Sequence, residues 1–256
     1  MRAGPQSGGG FTLTELAVVL VIVSLLMATA MYTLSAQTEQ RNFEETRRRL
    51  EAARELVLAF AIVNRRLPCP ASVTTGVNAG LEAPAGGTCT SSYGGWLPAR
   101  TIGFQVTDAV GNGVDAWNNP IRYAVSGAGV ALTGCAGSAT QPHFTNATNL
   151  KTNGITCQPN DLVVCRSASV ITATTCGTAP PLTNQNTLVA IAFSTGKNGP
   201  VGSGVGDEAA NLDGDRVFVW HTPAPVGAAG GEFDDQMTWI AVGELYGKLI
   251  AAGVLP

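Results

Sequence analysis

Between Phe11 and Leu67 the chain contains neither a glycine nor a proline, and Pro68 and Pro70 then follow almost at once. Few sequence features constrain a backbone more, because a run without either breaker can form one uninterrupted helix that the prolines end. The run predicts a single helix of roughly 54–57 residues. Its two parts differ in character. From Phe11 to Ser35 the one charged residue is Glu15. As a helix this stretch rises roughly 36 Å, enough to cross a hydrocarbon core of about 30 Å. Further on, Phe43, Leu50 and Val57 recur every seven residues beside Thr46, Ala53 and Phe60, with Glu44, Arg48, Glu51 and Glu55 flanking them. That pattern gives one face to a core and the rest to water.

A cleaved secretory signal has a basic start, a shorter apolar core and a small-residue cleavage site. Here only Arg2 precedes the run, the run is too long, and it leads straight into a charged helical pattern beyond Met27. The segment is therefore read as a retained single span, with the amino end cytoplasmic and the remainder outside. Arg47, Arg48 and Arg49 pull mildly against that orientation. A bare carboxylate in hydrocarbon is expensive, so Glu15 has to be functional or lie outside the membrane.

Beyond Leu67 the composition changes. Seven Lys/Arg stand against twelve Asp/Glu, a balance of −5, which excludes the broad basic footprint of a general nucleic-acid binder. Glycine, asparagine and breaker clusters point to a loop-rich, strand-containing head rather than a helical bundle. Candidate strands are 121–125, 129–132, 162–166, 187–193, 216–221 and 237–242, followed by a closing amphipathic helix over 244–252. The polar stretch 134–160 reads as a loop. An antiparallel sheet laid on the amphipathic half of the long helix would bury both apolar faces.

All six cysteines, Cys69, Cys89, Cys135, Cys157, Cys165 and Cys176, lie in this head. None forms a C-x-x-C pair and only His143 and His221 offer imidazole, so a zinc site is not indicated. An even number in a loop-rich region reads as disulfides in an oxidising compartment. Fifteen pairings are possible; the short loops favour Cys69–Cys89 and Cys165–Cys176, leaving Cys135 with Cys157.

No arrangement of catalytic residues emerges. "STGKNGPVGSGVGDE" has its lysine ahead of most glycines and lacks the Gly-Lys-Ser/Thr of a phosphate loop. There is no nucleophile elbow and no triad partner for either histidine. Asp234 and Asp235 are adjacent, and in a strand adjacent side chains face opposite sides, so they are not expected to converge. In "GDEAANLDGDRVF", Asp207, Glu208, Asp213 and Asp215 crowd around Gly214. Oxygen donors at that density suit calcium, although the spacing is not that of a known calcium loop; a solvated acidic turn is the alternative.

Gly10-Phe11-Thr12-Leu13-Thr14-Glu15-Leu16, running into an unbroken apolar helix, resembles the processing motif of type IV prepilins and type II secretion pseudopilins. The resemblance implies cleavage between Gly10 and Phe11 by a prepilin peptidase, methylation of the new Phe11 amine, and pairing of Glu15 with the terminal ammonium of a neighbouring subunit. Asp115-Ala116-Trp117-Asn118-Asn119-Pro120 is similar to the Asp-Pro-Trp-Gly-Asn-Pro stretch of pseudopilin heads, with Ala116 for the proline and Asn118 for the glycine. The head is larger than that of the major pseudopilin, which implies a minor subunit.

The expectation is an α+β, pilin-like fold: leader 1–10, transmembrane and assembly helix 11–35, amphipathic helix 36–66, and a periplasmic β-rich head 67–256. The chain would catalyse nothing. Its partners would be the peptidase, other pilin-type subunits and the inner membrane. A single-span anchored enzyme or binding protein that never polymerises is the rival reading of the same sequence.

Overall fold

The computed structural model describes residues 12–127, 142–199 and 206–255, with the side chains of 28–36 outside that description. The chain divides into two compact units, Met1–Phe43 and Glu44–Pro256. Helix α1 covers Leu13–Asn64. In the first unit its apolar side chains stand in the open: Leu13, Leu16, Leu20, Val21, Leu25, Leu26 and Met27 are all more than half exposed.

In the second unit α1 forms one wall of the core. Leu50, Ala53, Val57, Leu58 and Ala61 are buried at helical spacing against Tyr123, Val125, Ala190 and Ala192, and the same cluster takes in Leu245 and Leu249. Arg65 then adopts a left-handed φ of 59°, a common helix stop, and Pro68 and Pro70 carry the chain away.

Short elements follow: β1 (Gly95–Trp96), α2 (Ala99–Ile102), β2 (Arg122–Val125), α3 (Ala147–Asn153), β3 (Val163–Cys165), β4 (Leu188–Ser194), α4 (Asp207–Ala210), β5 (Val217–Val219), β6 (Gln236–Ala241) and α5 (Val242–Ala251). Four strands make an antiparallel sheet in the order β1-β2-β4-β6. Its β4, Leu-Val-Ala-Ile-Ala-Phe-Ser, is buried along its whole length, as an apolar run covered on both faces demands. One face meets α1; the other carries Ala124, Ile191 and Phe193 against Leu162, Val164 and Phe218.

Two parts of the expected fold are corrected. The first is the membrane-crossing half of the helix. Among the described residues no helix is long and apolar enough to cross a membrane. The expected single-pass anchoring therefore finds no support among the described residues. The second concerns the strands: the expected antiparallel sheet is present, but β3 and β5 lie outside it as a separate parallel pair, with Val163 opposite Val217 and Cys165 opposite Val219. The strands expected at 121–125, 162–166, 187–193, 216–221 and 237–242 correspond to β2, β3, β4, β5 and β6; the one expected at 129–132 lies outside the described residues.

α3 falls within the stretch expected as loop. Asn146 starts it, its side-chain oxygen accepting from the amides of Thr148 and Asn149, a capping signal that a polar segment obscures. Cys69 pairs with Cys89 and Cys165 with Cys176. Cys157 is also disulfide-bonded, whereas Cys135 lies outside the described residues.

Candidate functional site

Three places gather the residues singled out by the sequence. At the start of α1, Thr12 and Glu15 satisfy one another. The Thr12 hydroxyl oxygen accepts the Glu15 amide at 3.3 Å, and the Thr12 amide and hydroxyl both donate to Glu15 Oε2 at 2.9 Å. This is the reciprocal box of a Thr-x-x-Glu helix start. Gly10 and Phe11, the expected cleavage pair, lie outside the described residues.

The Asp115–Pro120 stretch is a turn built around one buried carboxylate. Asp115 Oδ1 accepts the amides of Trp117 and Asn119, at 2.9 and 2.8 Å, and Oδ2 accepts the Ser194 hydroxyl at 2.5 Å. From α1, the Thr46 hydroxyl accepts the Ala116 amide and Arg49 donates to the Asp115 carbonyl. Asn118 stands at φ 69°, the left-handed conformation that glycine adopts freely and asparagine tolerates. The turn fastens the helix to the sheet; its role is structural.

The third place is the acidic region. Of the four residues expected to hold calcium, only Glu208 joins a convergent set. Asp207 is taken up by the Ala168 amide at 2.5 Å and His221 Nε2 at 3.0 Å. Asp213 accepts the Asp215 amide, and Asp215 the Val217 amide, each closing its own turn. What does converge, among the described residues, is Glu208 with Asp234 and Asp235: all three are buried, with carboxylate oxygens within 4.8 Å of one another. The expected divergence of the two aspartates fails because β6 begins only at Gln236. Both precede it, where strand alternation does not apply.

The elements around this cluster hold it in place. Glu208, in α4, accepts the Asp234 amide and the Asn198 side-chain amide, both at 2.7 Å. Asp234 Oδ2 accepts the Lys197 amide at 2.9 Å, and Asp235 Oδ2 accepts Asn211 Nδ2 at 2.7 Å. Gly196 lies so close that a Cβ there would meet Asp234 Oδ1 at 1.8 Å. Asp234 Oδ1 and Asn198 Oδ1 are buried without a hydrogen-bond partner. Burial first, then the charge of Glu208, pushes Asp234 up to about 6 and Asp235 up to about 8.

Three carboxylates so close cannot all stay ionised in a buried space without compensation. The arrangement can retain protons, or Glu208, Asp234 and Asp235 could hold a hard, oxygen-loving cation such as calcium.

No protein-family model, curated protein or solved structure matches this chain.

Proposed function

We propose that the chain is a structural subunit of a filament of the type IV pilin class, a minor pilin or secretion pseudopilin, cut between Gly10 and Phe11 by prepilin peptidase and polymerised through its N-terminal helix. The observation that carries this reading is the start of α1. From Leu13 to Met27 large apolar side chains are exposed on every side of the helix, and a helix apolar all round needs other apolar surface to cover it. Within that surface stands one carboxylate, Glu15, at the fifth position of a chain cut before Phe11.

In a bundle of such helices a lone buried charge is costly. Two opposite charges in contact largely offset each other's desolvation. Pairing Glu15 with the Phe11 ammonium of a neighbour would also fix the axial register, since a shifted neighbour leaves both charges alone. The disulfide-braced head fits an oxidising compartment, and its acidic balance gives no footprint for nucleic acid.

Intact-mass and amino-terminal analysis of the protein from its native host, with and without the peptidase, tests this. The expected product begins at methylated Phe11 and disappears without the enzyme. A chain still starting at Met1, or ending its leader near residue 30, overturns the filament reading in favour of a protein that does not polymerise.

A further inference from the structure

We propose that the cleft beside the Cys165–Cys176 disulfide is a binding site for a neutral oligosaccharide, held by the side-chain amides of Asn184, Gln185 and Asn186 above an apolar floor. The inference goes beyond the filament reading and does not depend on it.

The cleft holds about 370 Å³, within the range of small-ligand sites. Its floor is Val163, Cys176 and Ala179, all buried in the smaller core around β3 and β5. Two turns form its walls, and each is tied to β3. The first wall, 175–179, is joined to β3 by the disulfide and closed by the Ala179 amide, which donates to the Cys176 carbonyl at 2.9 Å. Within it Gly177 stands at φ 56° against the Val170 carbonyl, where no Cβ would fit. In the second wall, 183–187, Thr183 Oγ1 accepts the Val164 amide at 3.0 Å and the Thr187 amide donates to the Asn184 carbonyl at 3.0 Å. Gln185 Nε2 links the walls, donating to the Thr174 carbonyl at 2.6 Å. A site fixed in this way before a ligand arrives loses little order on binding.

The lining decides the chemistry. Among the described residues no Lys, Arg, Asp or Glu lines the cleft, so a charged ligand would meet no counter-charge there. The side chains of Asn184 and Asn186 make no hydrogen bond among the described residues. Each carboxamide carries N–H donors beside an acceptor oxygen. Neighbouring hydroxyls of a sugar ring each donate and accept, so one carboxamide can serve two of them at once. Thr183 adds a hydroxyl whose oxygen is taken by the Val164 amide and whose proton is left to donate. The apolar floor suits the C–H face of the ring. A peptide is the other neutral polymer, but strand addition needs an open backbone edge. Both edges of β3 are taken: β5 holds one, and on the other Pro181 bridges Cys165 while the Leu182 amide donates to the Val164 carbonyl at 2.8 Å.

Saturation-transfer NMR and titration calorimetry on the full chain, in a detergent without a sugar headgroup, test the proposal. The probes are neutral di- and trisaccharides of glucose, galactose, mannose and N-acetylglucosamine, their sulfated counterparts, and an uncharged Gly/Ser/Asn peptide. The expected result is a neutral saccharide that binds with a Kd between about 10 μM and about 1 mM, with no binding of the sulfated sugars or the peptide. Asn184→Ala and Asn186→Ala each weaken it by roughly three- to tenfold, and the double variant abolishes it. Both side chains are exposed, so all variants keep the wild-type urea midpoint. No response to any neutral saccharide overturns the proposal. So do sulfated sugars or the peptide binding as tightly, and saccharide binding that the double variant retains. None of these results bears on cleavage before Phe11, so the filament reading stands or falls separately.

Discussion

Asp235→Asn should remove a pH dependence that the buried acidic cluster imposes on the head. The carboxyl of Asp235 is 3% exposed, and burial together with Glu208 and Asp234 pushes it up to about 8. An unfolded aspartate titrates near 3.9. Between those values the folded chain binds the extra proton, so stability falls as pH rises, by about 1.4 kcal/mol per pH unit for one proton, and levels above the folded value. Two other groups share part of that range. Asp234, raised to about 6, adds to the same slope below that pH. His143, driven down to about 4 by burial, does the reverse: its folded state excludes a proton that the unfolded chain accepts, so it adds stability as pH rises from 4 to about 6.5. The window from pH 6.5 to 8 therefore belongs mainly to Asp235, and wild type should lose about 2 kcal/mol across it. Asparagine keeps the shape and, through its oxygen, the bond from Asn211. Urea unfolding of the full chain in detergent, without divalent cations, at half-unit steps from pH 5 to 9 measures the slope. A nearly flat line above pH 6.5 in Asp235→Asn is expected. A wild type whose stability rises across that window, or a mutant with the same slope, refutes the reasoning.

Further outcomes are expected. Calcium added at pH 8 should stabilise the head, by about 2.7 kcal/mol at one hundred times its dissociation constant, and Glu208→Gln should abolish the response; an unchanged unfolding midpoint leaves the cluster to protons alone. Asp115→Ala strands the Trp117 and Asn119 amides and the Ser194 hydroxyl, and should lower stability by about 2–4 kcal/mol in the same urea assay, whereas Asn118→Gly should leave it equal or slightly higher. Leu50→Ala, at a site 2% exposed, should lower head stability by about 2–5 kcal/mol. Leu20→Ala, at a site 61% exposed, should leave head unfolding unchanged and reduce filament incorporation.

The parts legible in the sequence are those governed by period and by breakers. Leu50 and Val57, seven residues apart, lie on the buried face, because helical geometry brings such positions to one side whatever else the chain does. The strand expected at 187–193 from its β-branched and aromatic residues is β4, Leu188–Ser194. Asn118 stands where the resembling stretch has a glycine, and its left-handed φ of 69° fits that place. The acidic stretch divides between its two readings for a reason that is also local. The density of Asp207, Glu208, Asp213 and Asp215 suggested a ligand set, but short acidic side chains near a glycine reach their own backbone first, as Asp213 and Asp215 do. The convergent carboxylates come instead from α4 and from the approach to β6, twenty-six residues apart between Glu208 and Asp234, and spacing carries no trace of such a meeting. Alternation argued against Asp234 and Asp235 only on the assumption that they lay in a strand.

The start of the helix shows the opposite case, where four consecutive residues contain the whole arrangement. Thr12-Leu13-Thr14-Glu15 carries a capping box in its spacing, and the resemblance to prepilins drew attention to Glu15 alone. The structure adds that the box is closed from both sides: the Thr12 amide and hydroxyl donate to Glu15 Oε2, and the Glu15 amide donates back to the Thr12 hydroxyl. Spacing alone therefore reached this arrangement, because every donor and acceptor in it lies within one helical turn.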